Sequence, residues 1–161
     1  MGTIAIVALR AVIALSLIGS LAVQILMTPL AWADLEGAPS AFRISLIGMA
    51  VLLIGTVQVS AICVWRLLTL VRRGSVFSPA AFRYVNVIIG AVATASVLTF
   101  AVAVLLAPGD VAPGVVGLIC GASLVIAGVA LIVFVLRLLL AQAVDRDAEA
   151  RGLRAELDEV I

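Results

Sequence analysis

Four apolar stretches leave this chain few folds to choose from. Each exceeds the roughly 18–20 residues that a helix needs to cross a bilayer. They run from about Ile4 to Thr28, Phe42 to Leu70, Phe82 to Leu106 and Gly114 to Leu140. Soluble core helices are rarely this long and this apolar. In lipid the helix satisfies every backbone group within one segment. Apolar residues make up 65% of the chain and charged ones 12%, which is far from the soluble balance. The expectation is an all-α fold, a single membrane domain over residues 1–161. It would be a four-helix transmembrane bundle followed by a short cytoplasmic C-terminal helix in the tail, residues 141–161.

Two of the three connections are acidic turns. Pro29–Ala41 holds Asp34, Glu36, Gly37 and Pro39, and Ala107–Pro113 holds Pro108, Gly109 and Asp110. The third, Leu70–Tyr84, is basic: Arg66, Arg72, Arg73 and Arg83 flank it, against Arg43 alone beside the first loop. The positive-inside bias puts this hinge, and with it both termini, in the cytoplasm. Trp32 falls at one expected interface, Trp65 and Tyr84 at the other, as an aromatic belt requires. Ala31-Trp32-Ala33 resembles a small-x-small cleavage site, with Arg10 as the leader's charge. The apolar run after Arg10 is about 18 residues, longer than a usual leader core, so an uncleaved first helix is expected.

The hinge carries helix-end chemistry at each residue. Arg72 and Arg73 suit the negative end of the incoming helix dipole, and Gly74 suits the left-handed residue that closes it. Ser78 fits an N-cap and Pro79 the first helical position, where a missing N–H costs nothing. Phe77 and Phe82 then stand as the two halves of a hydrophobic staple. A well-capped turn explains these residues. The same residues, with Arg83, are also candidates for meeting a partner or lipid headgroups.

Most catalytic chemistries lack their residues here. There is no His, which removes the commonest general base, haem ligand and zinc ligand. There is no Lys either, so an intramembrane Ser has no base. No carboxylate lies inside a span, which excludes a proton-coupled exporter that depends on one. Cys63 and Cys120 form no CxxC motif, and their expected depths differ by roughly 20 Å, too far for a disulfide. They read as small packing residues. No enzyme activity, cofactor or metal is expected. A net charge of +1 gives no footprint for direct nucleic-acid binding. The all-Arg cations and the Ala/Val/Leu excess suggest the codon bias of a GC-rich bacterial genome.

The polar residues inside the spans are Gln24, Gln58, Asn86, Thr94, Ser96, Thr99 and Ser123. Interhelical hydrogen bonds are their expected use, and a transport path would need Gln24, Gln58 and Ser123 to converge. Arg10, Arg66 and Arg137 sit close enough to span ends to snorkel. Gly117, Gly121 and Gly128 share one face of the fourth span, and Gly48 and Gly55 repeat the spacing in the second. Close packing within the bundle is expected of them, with homo-oligomerisation the alternative. From Asp145 onward six acids outweigh three arginines. Gly152 is a candidate helix break, and Leu153, Leu157 and Val160 then make a narrow apolar stripe. The tail is expected to leave the membrane as a solvated continuation of the fourth helix; the alternative is a docking segment, with its stripe and acids folded back onto the basic hinge beside Phe77.

Two motifs resemble the bacterial membrane proteins grouped as domain of unknown function 2975. Gly74-Ser75-Val76-Phe77-Ser78 followed by Arg83 is similar to that family's Gly-x-Ile/Val-Phe-Ser/Thr hinge. The ending from Leu153 to Ile161 is similar to its Leu-x-x-Glu-Asn-Asp-x-Thr-Ile close. Leu153, Glu156, Asp158 and Ile161 match, while Leu157 and Val160 stand where the family has Asn and Thr. The resemblance implies four transmembrane helices, no established activity, and a small helix-turn-helix regulator often encoded nearby. The expected function is a non-enzymatic accessory or regulatory protein of the bacterial inner membrane, engaging such a cytoplasmic partner. The alternative is a small transporter or permeation subunit working as a homo-oligomer. The surface expected to meet the partner or lipid comprises Arg72, Arg73, Gly74, Phe77, Ser78, Arg83, Leu153, Glu156, Leu157, Asp158 and Ile161.

Overall fold

The computed structural model describes residues 2–72, 79–109 and 111–160. Four helices account for almost all of them: α1 Gly2–Asp34, α2 Ser40–Arg72, α3 Pro79–Leu106 and α4 Pro113–Val160. The stretches long and apolar enough to cross a membrane are Ile6–Asp34, Ser40–Leu70, Phe82–Leu106 and Pro113–Arg146. The chain is thus an all-helical, multi-pass membrane protein.

The helix ends follow local chemistry. Pro79 and Pro113 each open a helix, where the absent N–H has no bond to lose. Between α1 and α2 the chain turns within five residues, Leu35–Pro39, and Gly37 takes φ 110°, a conformation that disfavours any residue with a Cβ. The first loop was expected to begin at Pro29. Instead α1 runs through Pro29 to Asp34. A proline inside a helix loses one backbone bond, but breaking the helix there would bare several polar groups to lipid. The adjacent Thr28 hydroxyl donates to the Gln24 carbonyl at 2.5 Å, which satisfies that hydroxyl within the helix.

The packing departs from a closed bundle. Close backbone approaches join α1 to α2, α2 to α3 and α3 to α4, and among the described residues they join no other pair. The helices form an open row in chain order. A row has little interior: the buried side chains among the described residues are Ile13, Cys63, Ala95, Ala103, Ser123 and Ala130. All but Ile13 are small. Large apolar side chains such as Leu15, Ile25, Leu118 and Leu124 stay exposed, as suits surfaces solvated by acyl chains. Both thiols are free, Cys63 buried and Cys120 half-buried, in keeping with packing roles.

The glycine expectation is corrected in the same way. A Cβ built on Gly48, Gly55, Gly117, Gly121 or Gly128 would meet nothing within 4 Å. None of them serves a close approach within the chain. The tight seams use alanine and serine instead. Ala103 is fully buried, and Ser123 and Ala130 are 3% and 7% exposed. Small side chains let backbones approach whether or not they are glycine, and alanine costs the helix less.

At the C-terminus the continuation of the fourth helix is observed and the separate short helix is not. No separate short helix follows the fourth span, because α4 continues unbroken from Pro113 through Gly152 to Val160. One glycine costs a helix only about 1 kcal/mol, and its neighbours Ala148, Glu149, Ala150, Arg151, Leu153 and Arg154 are mostly good helix formers. Extending an existing helix also avoids the nucleation penalty. An unbroken α4 leaves no turn by which the tail could fold back at Gly152.

Candidate functional site

Two constellations stand out, a polar seam between α1 and α2 and a basic end at the hinge side of the row. The seam begins with two reciprocal Arg–Trp pairs. Arg10 of α1 lies over the Trp65 ring of α2, 5.5 Å from its centroid, and its Nη2 donates to the Thr69 hydroxyl at 2.9 Å. At the other end Arg43 of α2 lies 4.4 Å from the Trp32 ring centroid of α1, and donates to the Trp32 carbonyl at 2.7 Å. Each helix thus supplies one cation and one ring, at opposite ends. The Nε atoms of Arg10 and Arg43 are buried without a hydrogen-bond partner among the described residues. Stacking a guanidinium on an indole face covers it in this way.

Between the clamps lies a cluster of amides. The Gln58 Nε2 donates to both Ser20 Oγ and Gln24 Oε1 at 3.1 Å, and the Gln24 Nε2 donates to the Val51 carbonyl at 3.2 Å. Ser20 in turn donates to the Leu17 carbonyl at 2.9 Å. Such groups find no water in the hydrocarbon region, so they pair with one another across the seam.

Ser123 is elsewhere. Its carbonyl accepts from Ser96 Oγ at 2.8 Å, in the α3–α4 seam, while its own hydroxyl donates to the Cys120 carbonyl. Gln24 and Gln58 therefore converge and Ser123 does not join them, with α3 lying between. The hydroxyls of Thr94 and Thr99 were expected to reach neighbouring helices. They fold back onto the Gly90 and Ala95 carbonyls one turn earlier, and Asn86 is exposed.

Sequence reasoning missed Ser20 and both Arg–Trp pairings. Ser20 and Gln24 stand one turn apart on α1, and Arg10 and Trp65 were both expected near the inner interface. Those were the available signals. What no linear pattern supplies is that α1 and α2 are neighbours with these faces opposed.

The hinge side gathers arginines from every helix: Arg10 of α1, Arg66 and Arg72 of α2, Arg83 of α3 and Arg137 of α4. Arg66 and Arg83 are exposed, and Arg137 is half-buried with an Nε that has no hydrogen-bond partner among the described residues. Of the residues expected to face a partner or lipid, Arg83 lies in the second turn of α3 and Arg72 closes α2. Leu153, Glu156, Leu157 and Asp158 fall on the backbone of α4. Arg73, Gly74, Phe77, Ser78 and Ile161 lie outside the described residues. The cap and the staple expected at the hinge therefore have only their α3 side within the described structure, where Pro79 begins the helix as expected.

A family model described as a protein of unknown function, DUF2975, matches residues 27–161. The chain belongs to this family. The match covers α2, α3, α4 and the end of α1, so Arg43, Gln58 and the hinge-side arginines of α2, α3 and α4 lie within it, and Arg10, Ser20 and Gln24 precede it. No curated protein and no solved structure matches this DUF2975 member.

Proposed function

We propose that this family member is a non-enzymatic accessory or regulatory protein that uses the C-terminal part of α4 to engage a cytoplasmic partner. The observation that carries the reading is the length of α4. Its 48 residues make a helix of roughly 70 Å, whereas a hydrocarbon core is about 30 Å thick. Among the described residues α4 approaches α3 alone, and α3 begins at Pro79, so the last part of α4 extends past the row. That part carries Asp145, Arg146, Asp147, Glu149, Arg151, Arg154, Glu156, Asp158 and Glu159. A charged helical arm of this kind is a surface for a soluble protein rather than for lipid.

Three further statements belong to the same proposal: a bacterial inner membrane, both termini in the cytoplasm, and a small helix-turn-helix regulator as the partner. The first two are supported by composition and by the arginine imbalance across the loops, the last by the family resemblance. The test is site-specific photo-crosslinking from Leu153 and Asp158 in intact cells that also express the neighbouring regulator. Cross-links to the regulator from these sites, and none from a control site at Leu118, are expected. Regulator cross-links at none of the arm positions overturn the choice of partner.

The alternative, a homo-oligomeric transporter or permeation subunit, draws on the open row and the bare glycines of α4. Against it stands the division of the polar groups between two seams, which leaves no aligned polar file for a substrate.

A further inference from the structure

A shallow groove of about 400 Å³ runs between α2 and α3, lined from α2 by Leu52, Gly55, Thr56 and Val59 and from α3 by Val87, Ala91 and Thr94. Its surface is almost wholly apolar. On α2 the lining positions recur at i, i+3, i+4 and i+7, and the same face continues two turns later at Arg66. On α3 they step back from Thr94 to Ala91 to Val87, and the next turn of that face holds Arg83 and Tyr84. Leu52 with Thr94, Gly55 with Ala91 and Val59 with Val87 advance in opposite directions at matched steps, as an antiparallel pair must. Carried on to the hinge end, that register puts Arg66 and Arg83 within about one turn of each other in height, roughly 5 Å apart along the axis. Both are exposed. They are therefore free in a way that Arg10 and Arg43, stacked on tryptophans, are not.

We infer that the α2–α3 groove is a binding site for one anionic phospholipid, with an acyl chain lying along Gly55 and Ala91 and the phosphate held between Arg66 and Arg83. Charge complementarity selects the occupant. Two guanidiniums stand at one end of an apolar trough whose lining contains no acid, so the ligand has to carry a negative headgroup on a hydrocarbon chain. From the arginines to Leu52 is about 21 Å along α2, enough length for an acyl chain. The missing side chain at Gly55 and the single methyl at Ala91 give the trough its depth, which assigns Gly55 a use that helix packing within the chain does not. Arg137 adds a third positive charge at the same end. The Ser96–Ser123 bond sets α4 against α3, and in that register Arg137 stands level with Phe82. The nearest acid on α4, Asp145, lies two turns beyond Arg137.

The test uses the full chain in phosphatidylcholine nanodiscs, titrated with phosphatidylglycerol and read by native mass spectrometry. Phosphatidylglycerol should be retained over phosphatidylcholine by roughly tenfold or more, as two arginines near a membrane surface allow. The Arg66→Gln/Arg83→Gln double variant should lose that preference. Arg66→Lys/Arg83→Lys should keep most of it, which separates loss of charge from loss of folding. Gly55→Leu/Ala91→Leu should lower retention with both arginines intact. Inorganic phosphate at millimolar concentration should not compete; if it did, the site would be one for the free anion and the lipid assignment would be overturned. Equal retention of the two lipids by the natural chain, or an undiminished preference in the Gln variant, also overturns it. The result is independent of the regulator, so failure of the α4 proposal leaves it standing.

Discussion

The α1–α2 seam and the α3–α4 seam hold helices together by different means. Between α1 and α2, long polar side chains reach across: two Arg–Trp clamps at the ends and the Gln58–Gln24–Ser20 cluster between them. Between α3 and α4 the contacts are short and mostly apolar. Ser96 meets the Ser123 backbone, and Ala103 and Ala130 are packed out of reach of solvent. Lipid tails are as apolar as leucine, so burying leucine between helices gains little in a membrane. What remains is close backbone packing, which needs small residues, or hydrogen bonds and cation–π contacts, which need polar ones. This chain uses the first at one side of the row and the second at the other. Close packing depends on volume, so it should fail abruptly when volume is added. A polar seam is a set of separable bonds and should weaken by steps.

The sharpest break is expected at Ala103, which lies on the same side of α3 as Ser96, two turns along. Ala103→Leu should destabilise the α3–α4 pair by about 1–3 kcal/mol through overpacking. Thermal unfolding in detergent measures this, and a melting temperature equal to that of the natural chain would show that the seam is not tightly packed. Gln58→Leu removes both amide donations at the centre of the polar seam. At about 0.6 kcal/mol for each interhelical bond, a loss near 1 kcal/mol is expected, with α3–α4 unaffected. Cross-linking of cysteines placed in each seam reads the two separately.

Smaller effects should come from the clamps. Arg10→Ala gives up a cation–π contact and a bond to Thr69, and Arg43→Ala a closer contact and a bond to the Trp32 carbonyl. Each should cost about 0.5–1 kcal/mol, and because the clamps are far apart the double variant should show the sum. A double-mutant cycle that departs widely from additivity would mean that α1 and α2 separate as a unit. The least is expected from Ser96→Ala, about 0.6 kcal/mol, because the alanine keeps the close approach. If it costs as much as Ala103→Leu, then hydrogen bonding, not volume, governs this seam too, and the contrast between the two seams disappears.

Part of the candidate site was legible without coordinates. Gln24 and Gln58 stood out as polar residues in apolar spans, and the hinge arginines stood out by number. Which of these meet was not legible. Ser123 looked like the third member of a set and lies in another seam, because α3 separates α4 from α2. Arg10 looked free to snorkel and instead has Trp65 and Thr69. The glycines at helix-packing spacing on α4 looked like the contact face, yet Gly117 and Gly121 are exposed while Ser123 is buried. In a soluble helix the buried stripe is marked by its apolar residues. Here every face is apolar, so periodicity says little about which side meets a neighbour.

The number of helices, the rough extent of each span and the alternating direction follow from the sequence alone, although Pro29 lies inside α1 and α4 runs on to Val160. Bilayer thickness and the need to satisfy every backbone group in lipid leave no other solution. Tertiary structure alone decided that the four helices stand in an open row and that alanines rather than glycines make its tight seams. The physical reason is common to both. These outcomes turn on differences of about 1 kcal/mol among alternatives that a hydropathy pattern weighs equally, and only the neighbouring surfaces choose among them.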